Sequence, residues 1–314
     1  MTIEVARYNS ERLGDWRQVL VNAKNAIFQF DRGFIEYHGD RFVDMSAISY
    51  IDGRPVAVIP AAFDPASGKI TSHPGLTFGG PVFLRDLRGD AAIEIVGEML
   101  NAFREWGGTS CLMKLLPQAF ASYPAAEADY ALWQRGFSLV RRDLSSLLPL
   151  DNALPFNELK RRSVKKARKH GVVVSSVPLD RFHSLLEAVL LEQHGVKPVH
   201  SKAELGLLQG RFPENILIRA ASVDDQLLAA TLVFNYGHVW HTQYLASSAE
   251  GRGLGALDLV ISEVIQEAIE AKAAYLSFGT STEAQGRELN CGLLWQKESY
   301  GARALVHDFL EGTL

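Results

Sequence analysis

Glu250-Gly251-Arg252-Gly253-Leu254-Gly255-Ala256 places three glycines at alternate positions between an alternating apolar run and an amphipathic one. Without a Cβ at those positions, the backbone is able to approach a bulky anion closely. Leu257, Val260, Ile261, Val264 and Ala268 follow at helical spacing, so the pattern predicts a helix over 255–271 that starts at the last glycine. The unpaired N–H groups of a helix N-terminus favour phosphate, and Arg252 adds positive charge. The same residues fit the dinucleotide pattern GxGxxG/A, which requires a βαβ unit with an acid ending its second strand. Here the next strand runs into Ser277-Phe278-Gly279, and antiparallel strands precede the glycines. A tight turn that binds nothing remains the other reading.

Working outward, 216–222, 227–235 and 238–246 read as a three-stranded meander with short polar turns. After the glycine helix come a strand over 275–278, a helix over 289–300 and a strand over 303–310. Before the meander lie a helix over 157–170 ended by Gly171, a strand over 172–177, and a helix that Asp180 starts. The first half repeats this order. Leu132-Trp133-Gln134-Arg135-Gly136-Phe137 is echoed by Leu294-Trp295-Gln296-Lys297 with Tyr300-Gly301, and the Asp52-Gly53 turn by Asp224-Asp225. Strands over 43–49, 55–63, 110–115 and 139–147 and helices over 91–106 and 129–135 complete the first copy. We expect two copies of one α+β fold, 1–150 and 151–314, each a mixed, mainly antiparallel sheet flanked by helices. The boundary falls where Pro149 and Pro155 interrupt the periodicity.

Composition narrows the function. The chain has 314 residues, 47% hydrophobic and 22% charged, the balance of an ordinary globular protein. No apolar run reaches the ~18 residues of a membrane-spanning helix, so no integral membrane segment is expected. The N-terminus lacks a signal layout, and two cysteines, Cys111 and Cys291, make no disulfide framework. A cytoplasmic protein without a structural metal is expected. The net charge of −4 conceals 160–169, KRRSVKKARK, seven bases with no acid. That segment is either a solvated helix face or a contact for phosphate, nucleic acid or an anionic surface.

The element order and the glycine turn resemble the GNAT acyltransferase fold, twice over. The tandem arrangement resembles the FemAB-like group, which includes the FemABX aminoacyltransferases. The resemblance is carried by the basic helix ending in Gly171-Val172, by Phe278-Gly279-Thr280-Ser281, and by Lys297 before Tyr300-Gly301. It implies an acyl-CoA bound at Arg252, Gly253, Leu254, Gly255 and Ala256, with Asn290 echoing the family's later asparagine. Trp133 and Trp295 stand where GNAT enzymes often carry a tyrosine acid.

Candidate chemistry follows. His241 lies on the strand before the glycine turn, shares a face with Gln243 by strand alternation, and is a candidate base; Tyr244 follows it. His200 is a second candidate base, and Glu204, four residues on, is either its partner or half of a capping box with Ser201. Ser281 and Lys297 flank the Phe278-Gly279 turn as substrate contacts. In the first copy, Ser72-His73-Pro74-Gly75-Leu76-Thr77-Phe78-Gly79-Gly80 is dense in polar residues and glycine, and His73 and Gly79 are candidate substrate contacts. The first copy lacks an equivalent glycine turn, so it is expected to shape the acceptor site while the second copy binds the acyl donor. The expected activity is transfer of an acyl or aminoacyl group to an amine, on an amino sugar or on a cell-wall, peptide or glycan precursor. Two alternatives stay open. One is a FemX-type transferase using aminoacyl-tRNA held by the 160–169 helix; the other is a non-catalytic anion-binding module.

Overall fold

The computed structural model describes residues 2–314, which form two compact units. The first holds the chain up to Asp143 together with Ala284–Arg287 and Val306–Leu314; the second holds Leu144–Glu283 and Glu288–Leu305.

In the first unit, Ile3–Arg7, Ala47–Ile51, Arg54–Ile59 and Val82–Phe83 form an antiparallel sheet in that order. Asp52 and Gly53 turn its central hairpin, both at positive φ (48° and 81°), as a two-residue turn matched to strand twist requires. A second group of strands runs from the C-terminal strand through Ser110–Lys114, Lys69–Thr71 and Ala62–Asp64 to Val43–Asp44. The single strand expected over 43–49 is therefore two strands in different sheets. Asp44 divides them: its Oδ1 accepts from the Ser46 N–H at 2.8 Å, a local turn that competes with continued pairing. Helix Gly89–Glu105 buries Ala92, Ile95, Val96, Met99 and Phe103 on one face.

In the second unit the strands order as Val173–Ser175, Ile216–Val223, Gln226–Asn235, Val239–Ser247, Tyr275–Thr280, then the 144–149 part of strand Ser138–Pro149. All neighbours are antiparallel except Val239–Ser247 and Tyr275–Thr280, which are parallel and joined through helix Ala256–Glu270. That helix, nearly apolar around Leu259, Val260, Ile261 and Val264, forms the middle of the core with Leu276, Phe278 and Tyr300. The basic helix, Glu158–Lys169, is capped by Asn157, whose Oδ1 accepts from the Lys160 N–H at 2.9 Å. It turns Val164 and Ala167 into the core and exposes its cations, except the half-buried Lys160. No helix among the described residues is long and apolar enough to cross a membrane.

Candidate functional site

The site in the second unit begins at a fork between two strands. Val239–Ser247 and Tyr275–Thr280 pair for three residues only, ending at His241 opposite Ser277. Both strands continue beyond that point, the first paired to Gln226–Asn235 and the second to 144–149. Past the vertex, the edges that face each other lose their ladder partners, and side chains satisfy part of their backbone: the Gly279 N–H donates to Ser277 Oγ and the Ser277 carbonyl accepts from Thr242 Oγ1, both at 3.3 Å.

His241 sits at the vertex, buried, with Nδ1 3.0 Å from Ser277 Oγ. Burial, and next the charge of Lys297, push its pKa down to about 4, so the imidazole is neutral at neutral pH. Lys297, on helix Cys291–Glu298, is itself buried and donates to the carbonyls of Gly279 (2.9 Å) and Thr280. Burial lowers its pKa to about 8. Gly279, at φ 69°, lies so close to the imidazole that a Cβ there would stand 3.3 Å from His241 Cε1.

Strand alternation predicted that His241 and Gln243 share a face. A bulge interrupts it: Val233 and Leu232 pair with Thr242 and Tyr244, leaving Gln243 outside the ladder. His241 and Thr242 are buried, while Gln243, Tyr244 and Leu245 are all half-buried. Tyr244 turns its hydroxyl to His200 Nδ1 at 2.6 Å, which ties His200 to this strand from 44 residues away. Glu204 completes the capping box with Ser201.

The glycine turn follows the same strand. Ser248 caps a short helical turn, Ala249–Leu254, where a plain strand-to-helix turn was expected; Gly255 then reverses at φ 76° and helix Ala256–Glu270 starts. No side chain caps that second helix. Beside its open end lies a cleft of about 480 Å³, lined among others by Lys160, Ser247, Arg252, Gly255, Leu257 and Asp258. Arg252 Nη1 donates to the Ser247 carbonyl at 2.8 Å, which holds the guanidinium at the cleft. Ala256 is fully buried, and Leu254 packs against the core.

The basic helix closes one side of this turn. Lys166 Nζ reaches the Gly253 carbonyl at 2.7 Å, and a Cβ on Gly255 would stand 2.2 Å from Ser163 Oγ. Lys160 Nζ pairs with Asp258 at 2.7 Å, and the buried Tyr300 hydroxyl donates to the same carboxylate. Arg162 and Arg168 pair with Glu158 and Glu263. Arg161, Lys165 and Lys169, four residues apart, form an exposed row.

Fork and cleft share helix Cys291–Glu298, which carries Lys297 at the fork and Gln296 at the cleft wall. Its N-cap is Asn290, with Oδ1 accepting from the Leu293 N–H and Nδ2 donating to Glu283. Ser281 has a buried Oγ without a hydrogen-bond partner. His73 and Gly79 belong to the first unit. His73 adopts φ 54°, and the Gly79 N–H donates to the Lys114 carbonyl at 2.6 Å. Sequence reading passed over Ser277, Asp258 and Lys160. Ser277 looks like any strand serine until the pairing places it opposite His241, and Lys160 is one of seven similar bases until Asp258 singles it out.

These features agree with comparisons to known proteins. Residues 158–285 match the family described as the acetyltransferase (GNAT) domain. No curated protein matches the sequence. Among solved structures, FemX superposes with a TM-score of 0.71 at 12% identity, over 99% of this chain and 97% of that one. The C-terminal domain of a putative lysylphosphatidylglycerol synthetase from Agrobacterium fabrum gives 0.60 at 10% identity, over 97% and 92%. A tandem GNAT protein from the clavulanic acid biosynthesis pathway gives 0.54 at 11% identity, over 99% and 98%.

Proposed function

Because the chain carries a GNAT acyltransferase domain within a FemX-like tandem fold, we propose that its second unit transfers an acyl group from acyl-CoA to an amine at the strand fork. One observation supports this reading above the others: the cleft of about 480 Å³ at the uncapped start of helix Ala256–Glu270, with Arg252 and Lys160 on its wall. Open N–H groups and the Arg252 guanidinium, with Lys160 balanced by Asp258, suit a pyrophosphate, and a cleft of this size suits a cofactor-sized ligand. Arg252, Gly253, Leu254, Gly255 and Ala256 would hold the coenzyme. When bound, it supplies a thioester whose carbonyl carbon is electrophilic.

The chain's own residues then have these roles. With an acyl-CoA bound, the neutral His241 would take the proton that the amine loses and return it to the leaving thiolate. Ser277 Oγ, 3.0 Å from Nδ1, fixes the orientation of the imidazole. The Lys297 ammonium, with two of its three donors on carbonyls, keeps one for negative charge developing on the acyl oxygen. Tyr244 and Gln243 line the acceptor side, with His200 as a second base that Tyr244 orients.

Thermal denaturation with acetyl-CoA tests the donor. Occupancy at ~100 times Kd stabilises by about 2.7 kcal/mol, a readable rise in Tm. The rise should vanish in Arg252→Glu, whose own Tm without ligand should match wild type because Arg252 is exposed. No rise at millimolar coenzyme A would overturn the acyl-CoA reading.

The exposed row Arg161, Lys165 and Lys169 favours a second reading, aminoacyl-tRNA as the donor. Its mark is tRNA binding that weakens steeply with salt and whose slope falls by about one for each of these residues replaced by alanine.

A further inference from the structure

The first unit contains a cavity of about 400 Å³ that the acyl-donor reading does not use. Tyr8, Arg32, Glu36, His38, Asp44 and His73 are among its lining.

Its walls are built rather than incidental. Arg32 is only 4% exposed, stacks on the Tyr8 ring at 3.8 Å, and donates to Glu36 (3.0 Å), to Ser46 Oγ (3.1 Å) and to Asp44. His73 is 3% exposed, holds the strained φ of 54°, and keeps a buried Nδ1 without a hydrogen-bond partner. Its ring lies 5.2 Å from that of His38 and 5.3 Å from that of Phe42. The buried Lys114 ammonium holds the loop behind it by donating to the carbonyls of His73 and Leu76. Gly75 lets the His38 ring lie on the backbone, since a Cβ there would stand 2.2 Å from His38 Nε2.

The chemistry of these walls selects a ligand. Among the lining side chains two carboxylates face one guanidinium, an excess of one negative charge on the wall itself with the Lys114 ammonium behind it, and both carboxylates are partly exposed where Arg32 is not (Glu36 53%, Asp44 38%). An anion would meet that excess, whereas an ammonium would complement it. No group of three metal-binding side chains occurs among the described residues. The unpartnered His73 Nδ1 calls for a hydroxyl, and the aromatic edges suit the apolar face of a sugar ring. We propose that this cavity binds a small hydroxylated amine of the hexosamine class, with the ammonium at Glu36 and Asp44 and a ring hydroxyl at His73. The assignment is of a binding site within the first unit and stands apart from the acyl-transfer reading above.

Calorimetry on the full chain without any acyl donor tests it, with glucosamine, galactosamine and N-acetylglucosamine as probes. The expected result is saturable binding of at least one of the two amines, about tenfold or more tighter than the uncharged N-acetyl sugar. Glu36→Gln, which keeps an acceptor for Arg32 and removes the charge, should narrow that preference severalfold without lowering Tm. His73→Phe, which keeps an apolar ring and removes the nitrogens, should weaken both amines and the N-acetyl sugar alike. Arg252→Glu, a change in the other unit, should leave sugar binding intact, so failure of the donor reading and failure of this one are separable. Absence of saturable binding by both amines, no preference over the N-acetyl sugar, or an unchanged preference in Glu36→Gln would overturn the proposal.

Discussion

At the scale of the residue, the fork is governed by two groups that share a cause. Burial lowers the pKa of both His241 and Lys297, and the lysine's charge adds to the effect on the histidine. Lys297→Met removes the second contribution and leaves the first. The His241 pKa should therefore rise from about 4 but stay below its ordinary 6.5, a shift readable in histidine ring NMR. An unchanged value would mean that the two groups do not sense each other. His241→Asn should lower kcat by about 10²–10⁴-fold while leaving the acetyl-CoA rise in Tm intact, since the histidine is not on the cleft lining. Loss of the thermal shift in that variant would reassign His241 to donor binding.

At the scale of the element, the glycine turn is a packing solution as well as a ligand site. Gly255 joins two helices at φ 76°, and a side chain there meets both Ser163 Oγ (2.2 Å) and the Ser163 carbonyl oxygen (2.7 Å). Gly255→Val should cost about 1–3 kcal/mol from the backbone alone, and more from the clash. Ser163→Ala in that background should restore only part of the loss, because the carbonyl contact remains. Full recovery of Tm would show that the hydroxyl was the whole obstacle. The basic helix likewise has two faces: Lys160, Lys166 and Arg168 hold it to the glycine turn and the long helix, while Arg161, Lys165 and Lys169 point elsewhere. A run of seven like charges is therefore less self-repelling than it reads.

At the scale of the whole molecule, acid stability reports on the buried histidines. Burial is the first cause of the lowered pKa in His73 (about 3), His241 (about 4) and His307 (about 4). Between pH 6.5 and these values the unfolded chain binds protons that the native chain does not, so stability falls as pH falls through that window. Lys114 and Lys297, both lowered to about 8, act in the same direction at higher pH: stability rises as pH rises from 8 toward 10.5. Denaturant midpoints across pH 4–10 measure this, and a flat profile between pH 6.5 and 4 would contradict the buried neutral histidines. Connectivity makes a second prediction. The C-terminal strand pairs Phe309–Thr313 with Ser110–Lys114 in the first unit, so a fragment ending at Leu150 exposes that edge and should aggregate. Addition of a 303–314 peptide should improve its solubility.

The sequence by itself determined what depends on near neighbours. Apolar periodicity located helix Ala256–Glu270 and the meander to within a residue or two, Asp52-Gly53 and Asp224-Asp225 announced their hairpins, and the glycine spacing marked the turn. The repeated element order, together with the glycine and Gly-Val motifs, pointed to the tandem GNAT fold. What only tertiary structure decided depends on partners distant in the chain. His241 looks like a half-buried strand histidine until Ser277, 36 residues on, stands opposite it and the two strands part. Lys297 is marked in the sequence only as a substrate contact beside the Phe278-Gly279 turn, and helix packing is what buries it against the Gly279 and Thr280 carbonyls. A one-residue bulge at Gln243 undid the alternation from which its face was read. Local sequence encodes backbone preference and which side of an element is apolar. Burial, and with it the pKa of each candidate group, is set by what packs against that side.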